Sequence, residues 1–386
     1  MRSYEKTHPW INFNLDLRRV DYRLWIALGE AVSKCEHLAT VPLQPETAHN
    51  LHLLYLAKGI RATTAIEGNT LSEEEVIDRL EGKLKLPPSR QYLGQEIDNI
   101  RNACNQITDQ LFKEGQANIT VKEIKWYNEV VSEKLPREDD FVPGMIRRHS
   151  VGVGAYRGAP PEDCESLLEK MCNWLNDLKI PDNDNIVLIG ILKAILAHLY
   201  IAWIHPFGDG NGRTARLVEF RILLSHSVPT PAAHLLSNHY NLTRTEYYRQ
   251  LDYTSRSKGD IFPFIHYAVQ GFVDGLKGQI DEIQKQHLSV GWEIYIHNQF
   301  KDKIGTIDNR RRTLALELTR FDKPVPINKI RQVSPIIAEM YADKTMRTIR
   351  RDLLELIRLR LVKKIGNAYN ANKDIMLSFL PQRSVL

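Results

Sequence analysis

The sequence predicts a mainly α-helical protein with a small β-hairpin in its larger part and a separate helix-and-hairpin module at its carboxyl end. Of the 386 residues, 43% are hydrophobic and 26% charged, a globular composition that excludes wholesale disorder. Residues 15–135 repeat apolar side chains at helical spacing, as at Ile97, Ile100 and Cys104. From Lys301 onward, 19 Lys and Arg stand against 9 Asp and Glu, whereas the first 300 residues carry 33 against 38. That charge asymmetry indicates separate modules with separate partners.

The amino-terminal helices give way to a segment of different character between Pro143 and Pro161. Before it, Pro87-Pro88 breaks the chain between two helical stretches. The segment reads MIRRHSVGVGAYRGAPP from Met145, and its Val151, Val153 and Tyr156 together with three glycines predict a small hairpin, or flap. Helical spacing then resumes over residues 163–178, 185–204, 214–225, 243–254 and 263–286.

One of these stretches, Ile186 to Ile204, is nearly long and apolar enough to cross a bilayer. Lys193 and His198 interrupt it, and a charge near the bilayer centre is costly. A helix that is apolar nearly all round is buried, so we interpret it as the central helix of a soluble bundle. We therefore expect no membrane association.

The amino terminus and the cysteines both bear on the cellular compartment of the protein. The first residues, MRSYEKTHPW, contain no apolar signal segment. The four cysteines include no CxxC pair, which argues against a zinc ribbon or a redox motif. Four scattered thiols in a chain of this length are typical of a cytoplasmic protein.

The most informative stretch is HPFGDGNGRTAR, residues 205–216, which joins the apolar helix to the next one. Its alternating glycines, Gly208, Gly210 and Gly212, let the backbone approach a ligand closely. Their amides, together with the N-terminus of the following helix, predict a concave anion-binding surface. Arg213 and Arg216 strengthen this prediction, because cations at a helix N-terminus oppose its dipole unless an anion is bound there.

Asp209 and His205 add chemistry to the anion site. Asp209 is a hard oxygen ligand suited to Mg²⁺ held on phosphates, and His205 is a group that takes a proton near neutral pH. The loop predicts a nucleotide polyphosphate site with a general base beside it. A glycine-rich turn with a buried histidine is the alternative, and the density of functional residues disfavours it. Neither GxGxxG after a strand nor GxxxxGK[ST] is present in the loop.

The stretch matches HxFx(D/E)GNGRxxR at every defined position, and roughly residues 15–290 resemble the Fic family. The resemblance implies a Fic helical bundle that transfers AMP from ATP to a Ser, Thr or Tyr hydroxyl of an unidentified target protein, or of the chain itself. It implies His205 as the base, Asp209 as the Mg²⁺ ligand and the rest of the loop as phosphate-binding residues. Those residues are Gly208, Gly210, Asn211, Gly212, Arg213 and Arg216.

A second stretch, TTAIEGN at residues 63–69, predicts a helix end, because Gly68 and Asn69 are typical C-cap residues. By itself, Glu67 at a helix end is usually a solvated residue. The stretch nevertheless resembles the (S/T)xxxE(G/N) inhibitory helix of many Fic proteins, here expected at about residues 51–68. That resemblance implies that Glu67, fixed by Thr63 one turn earlier, pairs with Arg216 in place of the ATP γ-phosphate.

The flap offers a hypothesis about target docking. Val151, Gly152 and Val153 are predicted to clamp an extended target segment by strand addition, with a plain structural hairpin as the alternative. The RSKGD stretch from Arg256 contains no Asn, so no residue is assigned to the adenine.

The tail reads as three helices followed by a hairpin, which predicts a winged helix-turn-helix domain. The helices are expected at Arg311–Arg320, from about Ile327, and at Thr345–Leu361, with the hairpin around a Gly-Asn turn. The third helix and the hairpin are strongly basic through Lys344, Arg347, Arg350, Arg351, Arg358, Arg360, Lys363 and Lys364. DNA binding and a protein-interaction or dimerisation module both remain open.

The predicted organisation is an N-terminal helical region at residues 1–110, a Fic catalytic core at 111–290 and a winged-helix domain at 300–386. The leading hypothesis is an autoinhibited protein adenylyltransferase in the cytoplasm that forms a homodimer or acts alone. One alternative is a DNA-binding regulator whose core senses nucleotide or modifies itself. Another is an enzyme of the same family that removes AMP or transfers a different nucleotide.

Overall fold

A computed structural model describes residues 2–115, 118–136, 140–154, 156–180 and 184–377. The chain divides into two compact units, Met1–Gly278 and Gln279–Leu386. This division lies earlier than the predicted interval between residues 290 and 300. The reason is the last part of a long helix, whose Trp292 and Ile296 belong to the hydrophobic core of the second unit.

The first unit is a bundle of helices around one hydrophobic core. Its α-helices, in chain order, are α1 Ser3–Thr7, α2 Tyr22–Thr40, α3 Pro45–Ala65, α4 Glu73–Leu80, α5 Gln91–Glu114, α6 Val121–Val131, α7 Pro161–Asp177, α8 Ile186–Ile204, α9 Asn211–Ser225, α10 Leu235–Leu242, α11 Arg244–Arg256 and the first part of α12 Phe262–Gln299. Single turns of 3₁₀ helix occur at Leu17–Arg19 and Pro88–Arg90. The second of these follows the predicted break at Pro87-Pro88.

Helix α8 lies at the centre of this bundle and positions the functional loop. Its N-terminus is capped by Asn185, whose side-chain oxygen accepts a hydrogen bond from the Leu188 N–H at 3.0 Å. The helix is long and apolar enough to cross a membrane, but 78% of its most apolar window is buried inside the protein. It ends at Ile204, and the next residue, His205, adopts a left-handed backbone conformation with φ 49°. That conformation turns the chain sharply into the loop before α9.

The flap is a two-stranded antiparallel hairpin, as the sequence predicted. Strand β1, Gly152–Val153, pairs with β2, Tyr156–Arg157. The Tyr156 hydroxyl donates a hydrogen bond to the carbonyl of Trp203 on α8 at 2.7 Å. The hairpin is therefore attached to the end of the central helix.

The second unit combines short helices with a three-stranded antiparallel sheet. After α12 come α13 Thr306–Leu318, β3 Val325–Pro326, a 3₁₀ segment Ile327–Gln332, α14 Pro335–Met340, α15 Met346–Arg358, β4 Val362–Ile365, β5 Ala368–Ala371 and a 3₁₀ segment Lys373–Leu377. The strand order is β3-β5-β4. The predicted helices and hairpin correspond to α13, α14, α15 and β4–β5 with shifted ends. Strand β3 was not predicted, because a strand of two residues is too short to show an alternation of apolar and polar side chains.

Candidate functional site

The loop between α8 and α9 is closed by the side chain of Asn211, the first residue of α9. Its Oδ1 accepts a hydrogen bond from the Phe207 N–H at 2.9 Å, and its Nδ2 donates to the Phe207 carbonyl at 2.8 Å. Phe207 itself is fully buried and anchors the loop in the core. Because its amide oxygen and its amide nitrogen both bind the main chain of Phe207, the Asn211 side chain holds the loop in its conformation. Only the main-chain N–H of Asn211 remains for the predicted contact with phosphate.

A second asparagine, Asn128 on α6, supports the loop from the opposite side. Its Nδ2 donates to the Asp209 carbonyl at 2.8 Å, and its Oδ1 accepts from the Gly144 N–H at 3.0 Å. Asn128 is fully buried. No sequence pattern predicted this role for Asn128, since its partners come from segments remote along the chain.

The turn that holds His205 is fixed by the buried guanidinium of Arg147. Arg147 donates hydrogen bonds to the carbonyl oxygens of His205 and His149 at 2.6 Å each, and to that of Ala159 at 2.5 Å. These contacts tie both ends of the flap segment to the C-terminus of α8, where a cation also interacts favourably with the helix dipole. Sequence analysis missed Arg147 because an arginine beside a flap is usually solvated.

The environment of His205 keeps its imidazole neutral. Burial lowers the pKa of His205 to about 4, and the positive charge of Arg147 acts in the same direction. A hydrogen bond with the main chain of Ala202 opposes this shift only in part. An imidazole with so low a pKa is unprotonated at neutral pH and is free to accept a proton.

This shift gives a direct prediction for the nucleotide-free protein. The His205 imidazole should titrate near pH 4, so that it stays neutral between pH 6 and 8, because the folded state disfavours its charged form. NMR of histidine-labelled protein would measure the titration, with the His205→Ala spectrum assigning the resonance. Titration at or above the ordinary histidine value of about 6.5 would contradict the prediction.

The two motif arginines lie buried on the first turns of α9. The Nη2 of Arg216 donates to the Thr63 carbonyl at 2.9 Å and to Glu67 Oε1 at 2.5 Å. Within the described part of the chain, the Nε and Nη1 of Arg216 have no hydrogen-bond partner. A buried donor without a partner costs roughly 1–3 kcal/mol. These two N–H groups therefore point to a ligand rich in oxygen acceptors.

Arg213 and Asp209 form a second charged group on the outer side of the loop. Arg213 Nη2 lies 3.0 Å from Asp209 Oδ2, and its Nη1 lies 3.4 Å from Glu96 Oε1 on α5. Asp209 Oδ1 accepts a hydrogen bond from the Gly210 N–H at 2.6 Å. The Asp209 side chain is 64% exposed, so its carboxylate remains accessible to a cation.

The predicted inhibitory segment differs from expectation in where its helix ends. Helix α3 closes at Ala65, and Glu67 lies in the following turn, in which the Asn69 N–H donates to the Thr64 carbonyl at 3.2 Å. Gly68 allows this turn through its positive φ of 106°. The turn carries Glu67 away from the helix axis toward α9. Thr63, predicted to help fix Glu67, contacts Arg216 through its main-chain carbonyl.

Glu67 approaches the backbone of the glycine-rich loop, residues 205–216, at Gly212. A Cβ atom placed on Gly212 would lie only 2.2 Å from Glu67 Oε1, so the approach requires glycine at that position. The Glu67 side chain is 34% exposed, while that of Arg216 is 1% exposed. Burial by itself would raise the pKa of Glu67, but the attraction of Arg216 and the hydrogen bond to it outweigh burial and lower the pKa. The pair is therefore ionised at neutral pH.

A cavity of about 510 Å³ brings these parts together. The loop with His205 and Glu67 forms one wall, and the predicted flap residues Val151, Gly152 and Val153 form another. A third wall comes from α11 and was not predicted, because aromatic residues on a helix are normally read as core. Its cavity-lining residues are Tyr247, Tyr248, Leu251 and Asp252.

Residues 118–223, from just before α6 into the last turn of α9, match the model of the Fic/DOC family. The chain carries a Fic domain. The matched residues include His205, the glycine-rich loop and the flap, whereas Glu67 lies before them in the chain. The predicted mainly helical Fic fold is thereby confirmed.

Several proteins named protein adenylyltransferase are similar to this chain. The chain is 29% identical to fic-1 of Caenorhabditis elegans over 228 residues, which is 57% of this chain and 42% of that protein. It is 30% identical to the Fic protein of Nematostella vectensis over 209 residues, 54% of this chain and 45% of that protein. The chain thus spans less than half the length of these curated relatives.

Solved structures show the same fold. A Fic family protein from Desulfovibrio desulfuricans has a TM-score of 0.56 at 17% identity, covering 93% of this chain and 98% of that one. Fic-1 from C. elegans has a TM-score of 0.55 at 24% identity, covering 68% and 73% of the two chains. At these identities the likeness establishes the fold alone.

Proposed function

We propose that the protein transfers AMP from ATP to a hydroxyl group of a protein, itself included. The observation that supports this most strongly is a neutral His205 in the same cavity as a loop of main-chain amides at the N-terminus of α9. Arg216, with two buried N–H groups lacking a partner in the described residues, lies directly behind that loop. The names of the relatives support the same activity.

In the proposed reaction, His205 accepts the proton of a target Ser, Thr or Tyr hydroxyl. The hydroxyl oxygen forms a bond to the α-phosphorus as the bond from that phosphorus to the bridging oxygen breaks, and pyrophosphate leaves. The loop amides and the N-terminus of α9 stabilise negative charge on the phosphates. Catalysis then depends on positioning and electrostatics, as in phosphoryl transfer generally.

Asp209 is the residue that fits a role in holding Mg²⁺. Among the described residues, no group of three or more His, Cys, Asp or Glu is arranged to bind a metal ion. Mg²⁺ commonly binds one or two protein carboxylates together with substrate phosphates, which suits the exposed carboxylate of Asp209. We propose that Asp209 would hold Mg²⁺ on the nucleotide, where the ion would offset the charge of the phosphates.

We propose that Glu67 inhibits this activity from within the chain. Its carboxylate takes the Nη2 donor of Arg216, which the resemblance assigns to the ATP γ-phosphate. For target docking, we propose that β1 accepts an extended target segment, since Val153 is exposed and lines the cavity that contains His205.

The activity is tested by incubating the protein and a lysate with Mg²⁺ and α-labelled ATP, GTP, CTP or UTP, then locating the label by mass spectrometry. Protein-bound label from α-labelled ATP, with none from γ-labelled ATP, is the expected result. Label from the γ-position would indicate a kinase instead, and preferential labelling by another nucleotide would reassign the donor. Loss of AMP from a previously labelled target would favour the hydrolytic alternative.

We further propose that Gln279–Leu386 is a winged-helix module of a cytoplasmic protein. The order of α13, β3, α14, α15 and β4–β5 supports the module. All four cysteines are free and buried thiols, which suits a reducing compartment. Homodimerisation stays a prediction, to be measured by analytical ultracentrifugation.

The unit boundary predicts how the chain tolerates truncation. A protein ending at Gly278 should keep AMP transfer, because the loop, the flap and Glu67 all belong to the first unit. A protein ending at Gln299 should be less soluble, because Trp292 and Ile296 would lose the core that buries them. Size-exclusion chromatography and labelling of both proteins would check this. A folded but inactive 1–278 protein would show that the second unit contributes to catalysis.

A further inference from the structure

Helix α15 presents an exposed basic face made of Arg347, Arg350 and Arg351, which we call the α15 basic face. Arg350 and Arg351 follow Arg347 by three and four residues, so all three side chains share one side of the helix. On the opposite side, Ile349 and Leu353 are fully buried in the core of the second unit. The packing of α15 therefore directs its arginines to solvent.

These arginines differ from the other basic residues around them. Arg310 and Arg311 both bind the buried carboxylate of Asp352, each with a 2.9 Å hydrogen bond from its Nε. Arg358 pairs with Glu355 at 2.7 Å. None of the three arginines of the α15 basic face has an ion pair or hydrogen bond to the described residues. The nearby carboxylates are thus occupied elsewhere.

We propose that the α15 basic face binds duplex DNA, with its arginines contacting the phosphates that border the major groove. This goes beyond the AMP transfer proposed above and does not depend on it. A helix of 10–12 Å diameter fits a major groove about 12 Å wide. In winged-helix arrangements, the helix before the hairpin is the one that enters the groove, and here that helix is α15. Exposed Lys364 on β4 extends the positive charge onto the hairpin.

Charge complementarity favours DNA over a protein partner. Three unpaired guanidinium groups suit a polyanion that presents many phosphates, and the carboxyl-terminal 86 residues carry a net charge of +10. A protein partner would instead need an apolar anchor. Leu354, which is 66% exposed on α15, could serve as such an anchor, so the experiment below includes a variant of this residue.

The test measures binding of the full-length protein to a fluorescent random-sequence duplex by anisotropy over a range of salt concentrations. We compare the wild type with the triple variant Arg347→Ala, Arg350→Ala, Arg351→Ala. The control is the triple variant Arg18→Ala, Arg249→Ala, Arg256→Ala, which removes the same charge from exposed arginines that already have carboxylate partners. Circular dichroism and size-exclusion chromatography report whether each variant is folded.

The α15 triple variant should bind duplex DNA at least about tenfold more weakly than the wild type. Its plot of log affinity against log salt should lose about 3 units of slope, roughly one for each phosphate contact removed. The control triple variant and Leu354→Ser should bind like the wild type. Failure of the wild type to bind duplex DNA would overturn the proposal. Equal weakening of both triple variants, or a preference for single-stranded RNA, would do so as well.

Discussion

His205→Ala should lower AMP transfer by about 10²–10⁴-fold, the usual contribution of a general base. The change removes the imidazole that precedes the glycine-rich loop and leaves the loop contacts of Asn211 and Asn128 in place. His205→Asn should lose as much activity, because an amide cannot accept the proton. Initial rates of labelling from α-labelled ATP, at saturating nucleotide, are the measurement.

Two controls separate catalysis from folding and binding. His37→Ala removes an exposed histidine on α2 and should leave the rate unchanged. An ATP analogue with a methylene bridge between the α- and β-phosphorus should bind the wild type and His205→Ala with similar affinity. Labelling by folded His205→Ala at a rate near that of the wild type would remove His205 from the mechanism.

Glu67→Gly should increase both ATP affinity and auto-AMPylation, although it adds no catalytic group. In the wild type, Glu67 Oε1 holds Arg216 Nη2 at 2.5 Å, so ATP must displace the carboxylate to gain that contact. A charged hydrogen bond is worth about 1.5–3 kcal/mol, which corresponds to roughly a 10- to 100-fold gain. An exposed ion pair would give far less, but the guanidinium of Arg216 is almost fully buried.

The companion variants make this prediction specific. Arg216→Ala should show no gain, because it removes the phosphate ligand together with the partner of Glu67. The double variant should resemble Arg216→Ala, since relief of inhibition needs the freed arginine. Glu165→Gln is the carboxylate control, because Glu165 pairs with Lys125 and its loss leaves the pair of Glu67 and Arg216 intact. Equal ATP affinity and labelling for the wild type and Glu67→Gly would leave Glu67 without an inhibitory role.

Local sequence was sufficient to predict the fold class and the centre of the site. Helix α8 and the loop after it form one continuous stretch, so apolar periodicity and glycine spacing specify them without reference to the rest of the chain. The same holds for α15 and the β4–β5 hairpin, whose pattern and Gly-Asn turn were readable in advance. The ends of helices were less exact, as at α3, because a cap depends on a few local hydrogen bonds.

Tertiary structure decided how residues far apart in the chain meet. The family resemblance implied that Glu67 pairs with Arg216, 149 positions away, and the packed bundle shows the geometry of that contact and how closely the carboxylate approaches Gly212. Arg147 and Asn128 act through main-chain carbonyl and amide groups of other segments, and such contacts leave no residue pattern in either segment. The end of α12 joins the second unit because Trp292 is buried there, although its helical periodicity is continuous with the first unit. The spacing of residues in the sequence thus determined which side chains the loop after α8 carries. The packing of the bundle determined which residues from other segments hold that loop in place.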